Sequence, residues 1–295
     1  MRTLSMILLL IVAPLTWGSA VTGPGGLALA VPFNGGLLAI PWGWNELQAF
    51  SGDGEAIQLP LDLDGVRPIS APAVFDDMAA IAFRTGEPEY IATFTLEGTH
   101  CEYGPYSDCG APAFDGTGRL WFTADGSLFV SGQRTPNTVD AHTICPDSSG
   151  LAMVYCDEED RLRILDTVTG TDRVIHSQHR CYAPVFIVFG EGRKILSPTL
   201  EGSIIMVSPS DGSWRELARG SHPFWWADEE LVLYSVTEDD GHNITSAEIW
   251  GVAPGGAPRP LSSTEDLDEI QPFVFRGCVM AIDAGSGSIV RVGGP

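Results

Sequence analysis

Two histidines with metal-ligating side chains, His176 and His179, lie three residues apart, just before Cys181. Imidazole nitrogens and thiolates are the ligands that zinc and other transition metals prefer. Together with His222 and His242, the pair could form a metal site. Histidines scattered on surface loops often bind nothing, so loops without a metal are the alternative.

Carboxylates are concentrated in two short runs. The runs contain Asp157, Glu158, Glu159, Asp160, Asp239 and Asp240. Crowded carboxylates repel one another, and a divalent cation or a partner rich in arginine and lysine would relieve that repulsion. These residues are therefore candidate ligand-binding residues, with solvated loops as the alternative. Apart from such a cation, the sequence indicates no cofactor.

The sequence contains none of the motifs of several common catalytic sites. It lacks a Gly-x-Ser-x-Gly nucleophile elbow, an HExxH helix, a P-loop and a Cys-x-x-Cys pair. No pair of carboxylates has a defined spacing for acid–base catalysis. Binding is therefore favoured over catalysis, and no catalytic residue is predicted.

Two tryptophans, Trp42 and Trp44, flank a glycine in the segment Pro-Trp-Gly-Trp-Asn. Glycine and asparagine are typical of turns and loops, and loops on a rigid scaffold often carry binding residues. We therefore predict that Trp42 and Trp44 contact a ligand. That prediction depends on their exposure, which the sequence does not determine.

Six cysteines, an even number, permit disulfides in an exported chain. Cys101 and Cys109 enclose the segment Glu-Tyr-Gly-Pro-Tyr-Ser-Asp, which we interpret as a loop that a disulfide would close. Cys156 and Cys181 form a second candidate pair. Free buried thiols, which behave as small apolar groups, are the alternative.

The N-terminal segment has the order of a secretory signal peptide. Arg2 precedes an apolar stretch over 4–15, and the small residues of 18–20 follow. The stretch is shorter than the roughly 20 residues of a membrane span, and no cysteine marks a lipoprotein. We predict a signal peptide over 1–20 and a secreted or periplasmic domain over 21–295 without stable membrane insertion. An uncleaved membrane anchor is the alternative.

The chain is strongly acidic, with 38 Asp and Glu against 16 Lys and Arg and a formal net charge of -22. Such a charge repels phosphate backbones, so nucleic acids and anionic membranes are not expected partners. A protein or a small exported ligand, of basic character, fits the charge better. An acidic surface that is merely solvated is the alternative.

A short motif recurs along the chain, consisting of an apolar or aromatic residue beside a proline, a turn and an apolar strand. Its prolines are Pro32, Pro72, Pro112, Pro146, Pro184, Pro223 and Pro272. A period of about 40 residues is the length of a four-stranded propeller blade. We predict an all-β fold, a β-propeller of seven four-stranded blades. Six blades are the alternative, because the copy at Pro146 is degenerate and the last copy is short.

The clearest copy, over 111–122, reads Ala-Pro-Ala-Phe-Asp-Gly-Thr-Gly-Arg-Leu-Trp-Phe. This unit resembles the WD-like repeat of TolB-type propellers, which also occurs in the propeller portions of prolyl-oligopeptidase-like peptidases. The resemblance implies a single propeller domain over 21–295 without a hydrolase domain. It also implies that the two chain ends pair to close the ring, with residues 26–30 as the closing strand. The Ser-Pro-Asp-Gly of that family is intact nowhere.

Propeller topology places the variable loops, including the tryptophans, the acidic runs and the histidine pair, on one rim. Loops held on a rigid scaffold are where binding residues concentrate. We therefore predict an exported, non-catalytic binding module that engages a protein or another ligand through these loops. The alternative is a metal-dependent lyase or hydrolase acting on a glycan, since the resemblance includes metal-dependent sugar lyases.

Overall fold

Seven small antiparallel sheets make up the computed structural model, which describes residues 21–22, 26–59, 66–190, 192–240, 244–264 and 266–292. Each sheet is one blade of a β-propeller, so the prediction of seven four-stranded blades is confirmed. The only helix within the described ranges is the 3-10 turn Ala227–Glu229. That part of the chain has no helix with the length and apolar character of a membrane span.

A short strand, β1 (Val21–Thr22), precedes the first blade. Blade 1 comprises β2 (Leu27–Phe33), β3 (Gly36–Pro41), β4 (Gln48–Phe50) and β5 (Ala56–Ile57). Blade 2 comprises β6 (Val66–Pro68), β7 (Ala73–Phe75), β8 (Met78–Thr85), β9 (Glu89–Thr95) and β10 (Gly98–Tyr106). Both β6 and β7 pair with β8, so together they form the first strand of blade 2.

The next two blades are regular. Blade 3 comprises β11 (Ala113–Phe114), β12 (Leu120–Ala124), β13 (Ser127–Val130) and β14 (Gln133–Thr138). Blade 4 comprises β15 (Ile144–Pro146), β16 (Ala152–Cys156), β17 (Leu162–Asp166) and β18 (Asp172–His176). The degenerate copy of the motif at Pro146 therefore forms a complete blade.

The last three blades end with the closure of the ring. Blade 5 comprises β19 (Val185–Phe189), β20 (Gly192–Pro198), β21 (Ser203–Val207) and β22 (Trp214–Arg219). Blade 6 comprises β23 (Ser221–Trp226), β24 (Leu231–Asp239), β25 (Ile244–Val252) and β26 (Arg259–Pro260). Blade 7 comprises β27 (Glu269–Phe275), β28 (Cys278–Asp283), β29 (Ser288–Arg291) and, as its fourth strand, β1.

The apolar cores lie between neighbouring blades. Leu38 and Ile40 of blade 1, for example, pack with Ile81 and Phe94 of blade 2. Similar clusters fill the other interfaces. One four-stranded sheet cannot cover its own two faces, so each blade becomes stable only between its neighbours.

Buried aspartates close several of the hairpins. Asp115 accepts hydrogen bonds from the backbone N–H of Arg119 at 3.1 Å, from its Nε at 2.8 Å, and from Trp121 Nε1 at 2.9 Å. Although burial alone would raise it, these and neighbouring hydrogen bonds lower the pKa of Asp115 to about 2. Asp147 has the same role in blade 4 and forms an ion pair with Arg193 of blade 5.

The ring closes through β1, which pairs with β29 so that Val21 lies opposite Ile289. The expectation that residues 26–30 close the ring is wrong, because most of them belong to β2 of blade 1. The physical reason is burial: Leu27 and Ala30 lie in the interface between blades 7 and 1. The continuous apolar run of β2 suits an inner strand, which neighbouring blades cover on both faces, whereas the outer edge of blade 7 needs only a short strand.

The two rims of the ring differ in their loops. The upper rim is formed by two kinds of loops: those that join the second strand of a blade to its third, and those that join one blade to the next. Its described loops include 42–47, 107–112, 139–143, 157–161, 177–184, 199–202 and 284–287. We call lower rim the opposite set of hairpins. There Arg276 of blade 7 donates from Nη1 to Gly52 O at 3.3 Å and from Nη2 to Gly35 O at 3.2 Å, which links the last blade to the first.

Candidate functional site

The upper rim carries the loops that contain the predicted binding residues. Trp42 and Trp44 lie in the β3–β4 loop of blade 1, and residues 157–160 lie in the β16–β17 loop of blade 4. Asp239 ends β24 and Asp240 follows it in blade 6, whereas His242 lies outside the described residues. Blades 1, 4 and 6 are not neighbours in the ring, so these loops lie on one rim but belong to blades that are not adjacent.

The two tryptophans are exposed. Trp42 is 48% and Trp44 37% accessible, which are large values for indole side chains on a folded surface. Their loop is fixed by its backbone, since the N–H of Trp42 donates to Gly26 O at 3.1 Å and that of Trp44 to Pro41 O at 2.9 Å. Trp44 has a φ of 48°, which non-glycine residues rarely adopt. The structure thus presents two indoles to solvent on an ordered loop.

The acidic run of blade 4 is largely neutralised by arginines. Arg161 pairs with Asp157 at 2.8 Å and with Glu159 at 2.7 Å, and Arg180 pairs with Asp160 at 3.1 Å. Of the four carboxylates, Glu158 alone forms no ion pair with a described residue. The expectation of uncompensated, mutually repelling carboxylates is therefore wrong for this loop.

Part of this run lines a crevice between blades 3 and 4, with a volume of about 400 Å³. Arg163 in its wall pairs with Asp157 at 3.3 Å and with Asp172 at 3.0 Å. Tyr155 donates its hydroxyl to Asp172 at 2.7 Å, and burial raises the pKa of Tyr155. Burial would raise the pKa of Asp157, but hydrogen bonds from Arg161 and its neighbours lower it. The crevice is therefore polar, and Asp157, Glu159, Arg161, Arg163 and Asp172 in its lining already form ion pairs with one another.

The candidate metal ligands His176 and His179 bond to each other. His176 Nε2 and His179 Nδ1 are 3.1 Å apart, so one ring donates and the other accepts. Trp214 packs edge-on against both rings, with centroids 5.2 and 4.6 Å away. Burial, and then the neighbouring His179, lower the pKa of His176. The pair is thus a packed contact between blades 4 and 5.

The remaining predicted metal ligands do not join this pair. His222 lies on β23 of blade 6 and its ring bonds to the Ser221 hydroxyl at 3.0 Å. Among the described residues, no group of three or more His, Cys, Asp or Glu side chains has an arrangement that could hold a metal ion. The geometry therefore gives the histidine pair no third ligand of these types.

Neither predicted disulfide, Cys101–Cys109 or Cys156–Cys181, is formed in the structure, where all four cysteines are free thiols. Cys101 is exposed on β10, and Cys109 is buried beside Ala124 of blade 3. The segment that we interpreted as a loop continues β10 as far as Tyr106. Because a strand rises about 3.3 Å per residue, it carries the chain away from Cys101 instead of folding back.

The arginines that neutralise the acidic run, Arg161, Arg163 and Arg180, were not among the residues predicted from the sequence. One signal was available, because Asp157 and Arg161 have the same spacing as Asp115 and Arg119, and both aspartates close hairpins. Arg180 had no such signal. It meets Asp160 only because the connection to blade 5 passes over the β16–β17 loop.

No family model and no curated protein matches the sequence. Solved structures share its fold at low identity. The β-propeller domain of Cps50 (Swd1) from Myceliophteria thermophila is 12% identical over 90% of this chain and 96% of that chain, with a TM-score of 0.62. A streptogramin B lyase is 14% identical over 93% and 94%, with a TM-score of 0.61.

An oligogalacturonate lyase in complex with manganese is 13% identical over 74% of each chain, with a TM-score of 0.55. These similarities support the seven-bladed fold, whereas membership of the TolB-type family is not confirmed. Enzymes and a propeller domain of another kind share the architecture. The fold by itself therefore does not distinguish binding from catalysis.

Proposed function

We propose that this chain is an exported, non-catalytic binding module whose ligand, a protein or another exported molecule, docks on the upper rim at Trp42 and Trp44. The observation that carries the proposal is the exposure of two indoles on a backbone-fixed loop. Tryptophan is enriched among the residues that dominate binding energy, because it buries a large area at little entropic cost. Fixing the loop before binding reduces that cost further.

The test replaces Trp44, and in a separate variant Leu200, by a photo-reactive phenylalanine analogue. Leu200 is a matched control because it is 50% exposed on the upper rim of blade 5, away from the tryptophans. When each variant is mixed with the exported proteins of the source cells and irradiated, a crosslinked adduct should form at position 44 and none at position 200. The captured partner is then purified and titrated calorimetrically against each variant.

We expect W42A and W44A to weaken the Kd for that partner about tenfold or more and L200A to leave it unchanged. Equal loss in all three variants, or none in the tryptophan variants, would overturn the proposed site. If the partner is a glycan, the same crosslinking experiment captures a polysaccharide instead of a protein.

Export is part of this proposal. Cleavage after Ala20 would leave Val21–Thr22 intact for the closing strand β1. N-terminal sequencing of the protein secreted by its source should therefore start at Val21. A mature chain that starts beyond Thr22, or that keeps residues 1–20, would contradict the predicted cut.

The second candidate function is a metal-dependent lyase or hydrolase acting on a glycan. Its supporting observation is the 3.1 Å approach of His176 and His179. Metal analysis of the purified protein tests it, together with turnover of an oligogalacturonate. We expect no stoichiometric transition metal. A bound metal that H176A and H179A both remove, with loss of turnover, would favour the enzyme over the binding module.

A further inference from the structure

Three cysteines surround the interface between blades 4 and 5. Cys145 on β15 lies opposite Val154 of β16, and Cys156 follows Val154 by two residues. Side chains two residues apart on a strand share one face of the sheet, so Cys145 and Cys156 both face blade 5. They pack against the same apolar cluster as Cys181, which is fully buried.

The loop that carries Cys181 is held between the two blades. The Cys181 N–H donates to Asp160 O at 2.8 Å, in the turn that follows Cys156, and Arg180 Nε donates to Asp160 Oδ2 at 3.1 Å. The backbone of Cys181 also forms an isolated antiparallel β-bridge with that of Thr199 of blade 5. Cys181 is therefore fixed at the upper end of the interface, beside the strand end that carries Cys156.

We propose that Cys156 and Cys181 become joined by a disulfide that links blade 4 covalently to the start of blade 5. The oxidant is a small-molecule disulfide such as oxidised glutathione. The Cys156 thiolate attacks one of its sulfurs and expels one glutathione thiolate. The Cys181 thiolate then attacks the Cys156 sulfur of the mixed disulfide and expels the second. Two thiols lose two protons and two electrons, and one glutathione disulfide is reduced to two glutathiones.

Cys145 is the less favourable partner, because its side chain is directed toward β19. Cys145 Sγ accepts the Phe186 N–H at 3.4 Å, which holds that side chain over β19. Cys101 and Cys109 belong to other parts of the ring, and Cys278 lies in blade 7.

The disulfide should form during folding. Burial, and then the adjacent Cys181, raise the pKa of Cys156, and burial raises the pKa of Cys181 to about 11. The folded thiols are therefore seldom ionised at neutral pH, and the thiolate is the reactive form. In the unfolded chain both have ordinary reactivity, and the native contacts then select this pair.

The test is oxidative refolding of the reduced, unfolded full-length chain in a buffer of oxidised and reduced glutathione, followed by alkylation and peptide mapping. Trypsin leaves Cys145 and Cys156 in one peptide, 135–161, because no lysine or arginine separates them. An additional protease that cleaves before aspartate gives 147–156, with Cys156 alone. We expect this peptide to be linked to 181–193, which carries Cys181.

Melting of the oxidised protein gives the second readout. Dithiothreitol should lower the melting temperature of the wild type and of C145S by the same amount and leave C156S and C181S unchanged. Alkylation of both Cys156 and Cys181 as free thiols after oxidative refolding, or a link from either to Cys145, overturns the proposal. The peptide map is made on the wild-type protein alone, so poor folding of a serine variant does not prevent the test of the Cys156–Cys181 disulfide.

Discussion

Glu269, the first residue of β27, is a fully buried carboxyl group, and neither of its oxygens has a hydrogen-bond partner among the residues that the structure describes. The Ser262 hydroxyl and the Thr264 N–H donate instead to Glu248, at 2.6 and 3.1 Å. Burial raises the pKa of Glu269 above its ordinary value of 4.5. Because a charged carboxylate is costly to bury unpaired, the folded state holds its proton more tightly than the unfolded state does.

We expect E269Q to stabilise the protein at neutral pH by about 1–2 kcal/mol. The native state binds more protons than the unfolded state between pH 4.5 and the raised pKa of Glu269, so wild-type stability falls as pH rises through that window. The gain from E269Q should be absent near pH 4 and grow toward pH 7. Urea unfolding at several pH values measures it.

The control for this substitution is E102Q, since Glu102 is exposed on β10. It should change stability by less than about 0.5 kcal/mol at any pH. A gain from E269Q that does not vary with pH would mean that packing, not ionisation, causes the difference in stability between the wild type and E269Q.

At the scale of elements, the interface between blades 7 and 1, which we call the seam, depends on two glycines of the upper rim. Gly287, between β28 and β29, has a φ of 64°, and a Cβ there would lie inside contact distance of the Gly26 backbone. Its carbonyl accepts the Leu27 N–H at 2.8 Å. The close approach therefore holds blade 7 against the first strand of blade 1.

We expect G287A to destabilise the protein by about 2–4 kcal/mol, through the left-handed backbone and the clash with Gly26. The matched control is G285A in the same loop, where a Cβ would meet only Asp283 at 3.6 Å, an ordinary contact. Thermal unfolding of the two variants provides the comparison. Similar losses in both would show that the loop, not the seam, is sensitive.

At the scale of the whole molecule, ion pairs and net charge have opposite dependences on salt. Pairs such as Arg161–Asp157 weaken as salt screens them, whereas the repulsion within a chain of formal net charge -22 is relieved. Exposed pairs contribute little to stability, and pairs with a buried partner, such as Arg119–Asp115, are screened less. Relief of the repulsion should therefore dominate.

We expect the melting temperature to rise by several degrees between about 10 mM and about 500 mM sodium chloride. Calcium chloride at the same ionic strength should give the same rise, because arginines already pair with most of the carboxylates of 157–160. Calorimetry measures both series. An extra gain with calcium that D157N abolishes would instead indicate a specific cation site.

Repetition made the architecture predictable from the sequence. Seven proline motifs about 40 residues apart predicted seven blades, and the resemblance to TolB-type propellers implied closure by the two chain ends. These inferences succeed because a blade is a local unit, whose strands and turns are contiguous in the chain. The same locality made the upper-rim position of Trp42 and Trp44 predictable.

The tertiary structure decided what depends on neighbours distant in the chain. It exposed Trp42 and Trp44, paired Asp160 with Arg180, and buried Glu269 without a hydrogen-bond partner among the described residues. It also chose Val21–Thr22 over residues 26–30 as the closing strand. Exposure, ion pairing and strand choice follow from how blades twist against one another and where each connection crosses. The spacing of residues within one blade carries no information about those contacts.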